Sequence, residues 1–126
     1  MPFADLNPKF HFFSPVSASA SDLAEHVDRA IIALDGRAPM GGDWFVEQMN
    51  PVALSGILRV ELWVSELADY TCTYGFFICS ENGSVPYARG ERTVVSIDAR
   101  SRAPQKWSSE FRVVHTELLK DLRAYA

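Results

Sequence analysis

Four β-prone stretches follow one another after Asp43 with no room between them for a helix. Ile57 to Leu67 alternates, with Leu58, Val60, Leu62 and Val64 on one face and Arg59, Glu61 and Ser65 on the other. Tyr70 to Ser80 follows, with Tyr70, Cys72, Tyr74, Phe76 and Ile78 in one phase. Asn82-Gly83 is the strongest short hairpin signal, and Tyr87 to Asp98 is the next strand. Asp43 to Leu54 comes before them and is broken by Pro51, so it suits a sheet edge or a bulge. Strands joined this closely can only form an antiparallel meander.

Such a meander needs a cover for its apolar face. Asp22 to Asp35 supplies one: Leu23, Val27, Ala30, Ile31 and Leu34 form a helical stripe, and Gly36 is a natural stop. Asp22 with Glu25 three residues on resembles a capping box. Phe10 to Phe13 is a short strand ended by Pro15. Ser108 or Ser109 caps a last helix bearing Phe111, Val114, His115, Leu118 and Leu122. The expected class is α+β, a sheet with one early helix on it and a C-terminal helix, in a single domain spanning residues 1–126.

Twelve basic and sixteen acidic residues give a net charge of −4, which argues against nucleic acid or an anionic membrane as partner. Apolar runs such as Ala30 to Leu34 fall far short of the ~20 residues of a membrane span. No secretory signal is visible at the N-terminus, and a cytoplasmic location is expected. Cys72 and Cys79 lie seven apart in one strand and so point to opposite faces as free thiols. No Cys or His cluster has metal-site spacing, and no cofactor is implied.

The order of elements resembles the hotdog-fold thioesterases, in which an antiparallel sheet wraps round one central helix. The similarity is to their 4-hydroxybenzoyl-CoA thioesterase-like branch. One stretch carrying it runs from Leu58-Arg59-Val60-Glu61-Leu62-Trp63-Val64 through Thr73-Tyr74-Gly75-Phe76 and Ala88 to Asp98, then Arg102-Ala103-Pro104. The other, Ser21 to Arg29, is similar to the family's Asp-x-Asp-x-x-Gly-His-Val-Asn-Asn segment.

The resemblance implies hydrolysis of an acyl-CoA or acyl-carrier thioester by a homodimer or dimer of dimers. Carried over residue by residue, Asp22 is the nucleophile or general base. The backbone N–H groups around Glu25 and His26 polarise the thioester carbonyl. Where the family has its first Asp this chain has Ala20, and Glu25 replaces the Gly. Asp28 and Arg29 stand where the family has paired Asn. In other hotdog enzymes an acid follows the His by about nine residues, the separation of His26 and Asp35, but their two glycines are Val27 and Asp28 here.

Each of these residues also has a purely structural explanation. Asp22 is accounted for as a helix cap, His26 as a surface residue of the first turn, and Asp35 as a solvated helix end. Tyr70, Tyr74 and Phe76 read as sheet core, and Trp44 and Trp63 as a dimer surface. Arg89, Arg92, Arg100, Arg102 and Lys106 read as mostly solvated, two or three of them able to hold a phosphate. Two rival functions follow: a hotdog domain that binds an acyl ligand or a protein without chemistry, and an NTF2-like ligand-binding cone.

Overall fold

A computed structural model describes residues 9–16, 23–52 and 55–119. Seven elements are seen: β1 (Phe10–Pro15), α1 (Leu23–Asp35), β2 (Trp44–Gln48), β3 (Ile57–Leu67), β4 (Thr71–Ser80), β5 (Pro86–Val95) and α2 (Ser109–Glu117). The strands form one antiparallel sheet in the order β1-β3-β4-β5-β2. This is the hotdog fold. The NTF2-like alternative fails because α1 is the single helix before the long strands among the described residues.

The meander forms where the alternation placed it. β3 pairs with β4 from Leu58↔Ser80 to Leu67↔Cys72, with a register shift between Val64 and Glu66. In the β4–β5 turn the Asn82 side chain accepts from the Ser84 N–H at 3.0 Å, and Gly83 takes a positive φ of 80°. The 43–54 strand is shorter than its sequence pattern, because the ladder with β5 ends at Gln48↔Ala88. It is an edge strand, as Pro51 requires.

Leu58, Val60, Leu62 and Val64 face Cys72, Tyr74, Phe76 and Ile78 across one fully buried surface. Val27, Ala30 and Ile31 of α1 close it, with Leu23 and Leu34 at the margins. Each fully buried Val, Leu, Ile or Phe side chain among them contributes roughly 1.5–3 kcal/mol. Tyr70 is the exception to the expected set. It precedes β4, is 41 % exposed, and so stands outside the buried set.

At Gly90 the close approach is made by the Phe45 carbonyl of β2 and the Phe76 ring. A Cβ there would strike backbone, so the missing side chain is what lets β2 dock on β5.

α2 starts at the N-cap Ser108, whose Oγ accepts from the Phe111 N–H at 3.1 Å. Its inward face is a stack in which Trp107 lies on Phe111 (3.9 Å) and Phe111 on His115 (3.5 Å). Val114 is exposed rather than buried, and Leu122 lies outside the described residues. The chain leaving α2 bonds to β3 beyond the end of β1, through the Val64 N–H to the Leu118 carbonyl at 2.8 Å.

Candidate functional site

α1 begins at Leu23, and the N–H groups of a helix's first turn have no acceptor inside the helix. That positive end is where the family resemblance implies the chemistry. Asp22, the acid expected to act there, lies outside the described residues, as does Ala20.

Glu25 is described and is engaged. Its Oε1 accepts from Arg29 Nη2 at 3.3 Å, one turn along, with the carboxylate side chain 43 % exposed. Arg29 also reaches β1, donating to the Pro15 carbonyl at 3.3 Å and to Ser14 Oγ at 3.4 Å.

His26 is not the surface residue its position suggested. It is fully buried, its Nδ1 2.6 Å from Ser14 Oγ, itself fully buried. The structure therefore gathers Ser14, Glu25, His26 and Arg29 where α1 starts and β1 ends. Ser14 was not singled out from the sequence. The available signal was phase: Phe10, Phe12 and Ser14 share the inward side of β1, and a hydroxyl at an inward position needs a partner.

Asp28 points to a different region. Its Oδ1 lies 3.5 Å from Nε of Arg92 in β5. Arg92 is not solvated as expected: it occupies the inward phase of β5 and is buried. Its guanidinium lies 4.6 Å from the Trp44 ring centre and donates to the carbonyls of Gly41 and Thr93. Trp63, on the outer face, packs over Gly75 beneath the Lys9 ammonium.

Asp35 sits about 13 Å from His26 along α1, nine residues at ~1.5 Å each, so the two do not form one site. It lines a cleft of about 180 Å³ with Arg37, Lys106 and Trp107. Burial raises its carboxyl above the usual range, and nearby Arg37 pulls the other way. Tyr74 also lines the cleft, and its hydroxyl lies 2.6 Å from His115 Nε2, while His115 Nδ1 lies 2.8 Å from the Phe111 carbonyl. Burial holds the His115 imidazole below its ordinary range and pushes the Cys72 thiol up to about 12. Among the described residues no group of three His, Cys, Asp or Glu side chains is placed to hold a metal ion. None of their helices is long and apolar enough to cross a membrane.

This architecture is the hotdog fold, and solved structures share it. Neither a protein-family model nor a curated protein sequence matches the chain. Solved structures do match it over most of its length. A 1,4-dihydroxy-2-naphthoyl-CoA thioesterase from Synechocystis is similar with a TM-score of 0.68 and 12 % identity, over 88 % of this chain and 98 % of that one. A predicted thioesterase from Bacillus stearothermophilus gives 0.68 and 18 %, over 89 % and 97 %. A Staphylococcus aureus protein solved in complex with CoA gives 0.69 and 11 %, over 91 % and 86 %.

Proposed function

We propose that this chain hydrolyses an acyl-CoA or acyl-carrier thioester. The observation that carries the reading is the hotdog fold, shared almost end to end with a naphthoyl-CoA thioesterase and a CoA-bound protein. Asp22 takes a proton from water, and the water oxygen attacks the thioester carbon. The first-turn N–H groups around Glu25 and His26 hold the developing oxyanion. The C–S bond then breaks, and the thiolate leaves with the proton from Asp22.

The active unit is proposed to be a homodimer. β2 is an edge strand whose Trp44, Phe45 and Val46 are exposed, with Phe45 at 62 %. A second β2 laid against it would continue the sheet and cover that edge. Cys72 and Cys79 are both free, which suits a reducing cytoplasm.

Release of free thiol from acyl-CoA substrates of graded chain length tests the reaction. Asp22→Asn should lower turnover by at least ~10²-fold with little change in stability, because Asn caps a helix about as well as Asp. Glu25→Gly should raise turnover by removing a charge beside the oxyanion. The reverse pattern would make Glu25 the working acid in place of Asp22. A second reading, a non-catalytic acyl- or protein-binding hotdog domain, is favoured by the Glu25–Arg29 ion pair in the first turn of the helix. Absence of hydrolysis across the whole panel would establish it over the first.

A further inference from the structure

The contact between Ser14 Oγ and His26 Nδ1 bears on where the imidazole proton sits. Ser14 Oγ is fully buried, and among the described residues it has two side-chain partners, His26 Nδ1 at 2.6 Å and Arg29 Nη1 at 3.4 Å. A guanidinium only donates, so of these two partners Nδ1 is the one that can accept the Ser14 hydroxyl proton. Nδ1 is therefore bare, with its lone pair occupied. A neutral imidazole in that state carries its proton on Nε2. The Arg29 donation polarises the hydroxyl in the same sense.

His115 is the internal contrast. Its Nδ1 faces the Phe111 carbonyl, which can only accept, so Nδ1 carries the proton. Nε2 is then the acceptor for the Tyr74 hydroxyl. Two buried histidines in one chain are held in opposite tautomers by their partners.

We infer that Ser14 and Arg29 are positioning residues that hold His26 as the neutral Nε2–H tautomer, a hydrogen-bond donor and not the base of the reaction. A base needs a lone pair to offer. One nitrogen of His26 spends its pair on Ser14 and the other already bears a proton. The general-base role then falls to a carboxylate at the start of α1. That last step rests on the thioesterase reading; the tautomer does not.

The test is therefore made first on the resting protein. Long-range ¹H–¹⁵N correlation spectra of the histidine rings at pH 8 separate bare from protonated nitrogens. The expected spectrum shows His26 protonated at Nε2 and His115 at Nδ1, with His26→Gln and His115→Leu assigning the signals. Ser14→Ala should shift the His26 Nδ1 resonance and leave that of His115 in place. A His26 ring protonated at Nδ1 overturns the inference whatever the protein hydrolyses.

Activity supplies the second arm. His26→Gln keeps a donor near the Nε2 position and has no imidazole base. It should lower kcat by less than about tenfold. A fall of ~10²–10⁴-fold, the usual worth of a general base, in a variant with an unchanged thermal melt also overturns the inference. A wild type without thioesterase activity refutes the proposed function and leaves the spectroscopic result standing.

Discussion

Tyr74→Phe should cost roughly 2 kcal/mol of stability, although it removes one oxygen atom and leaves the packing shape intact. Tyr74 is fully buried in β4, and its hydroxyl donates to His115 Nε2 at 2.6 Å. The imidazole cannot turn to find another donor, because its Nδ1–H is committed to the Phe111 carbonyl and its face to the Phe111 ring. After the substitution the Nε2 lone pair faces hydrocarbon, and a buried acceptor left without a donor costs ~1–3 kcal/mol. For a chain of this length that corresponds to a fall in Tm of about 6–10 °C. Urea unfolding at pH 8, at one protein concentration, measures it, with the slope m unchanged. The double variant Tyr74→Phe/His115→Phe removes the stranded acceptor and keeps a ring in the Trp107–Phe111 stack, so it should be more stable than Tyr74→Phe alone. A single variant within ~0.5 kcal/mol of wild type, or a double variant below the single, refutes the reasoning.

Three further outcomes are expected. Burial holds the folded-state His115 below its ordinary range, so the unfolded chain takes that proton first as pH falls. Its contribution is present above about pH 6.5 and is lost below it, at no more than ~1.4 kcal/mol per pH unit; His115→Leu should flatten that limb of the stability–pH profile, and an unchanged slope refutes the assignment. Phe45→Lys, at a side chain already exposed in the monomer, should change monomer stability by less than ~0.5 kcal/mol yet shift light scattering from dimer to monomer; a dimer that persists argues against pairing through β2. Gly90→Ala should destabilise by ~1–3 kcal/mol because the new Cβ meets the Phe45 carbonyl, and a neutral result in chemical denaturation would disprove the close docking of β2 on β5.

Much of the fold was legible because its signals are local. The phase of Leu58 to Val64, the stripe from Leu23 to Leu34, and Asn82-Gly83 each need only neighbouring residues to be read. The 43–54 strand was overdrawn because β-propensity continues past the point where its partner β5 supports pairing, at Ala88. Tyr70 kept the right phase but fell before the ladder began. Arg92 was taken as solvated because charge is the stronger single-residue signal, although its phase, between Gly90 and Val94, pointed inward. His26 was read as exposed for the same reason. Its burial depends on where β1 ends relative to α1, which no window of sequence around the helix contains.

Three inward polar side chains of the sheet share a pattern that explains why they are there. Ser14, Tyr74 and Arg92 each occupy an inward position on a different strand. Each meets a polar group on a helix: Ser14 meets His26 and Arg92 meets Asp28, both on α1, while Tyr74 meets His115 on α2. An apolar stripe alone tolerates sliding by one helical turn, about 5.4 Å, since the same spacing of apolar residues returns. A polar pair does not, because displacement leaves two buried groups unmatched at ~1–3 kcal/mol each. The two α1 pairs lie towards opposite margins of the sheet, at β1 and at β5, so together they fix both the position of the helix along its axis and its rotation. The helix end proposed to hold the oxyanion is thereby set against the sheet by these two pairs. Exchanging Ser14 and His26 together for apolar residues should preserve the fold while loosening that placement, and loss of turnover with stability retained is the outcome that distinguishes placement from folding.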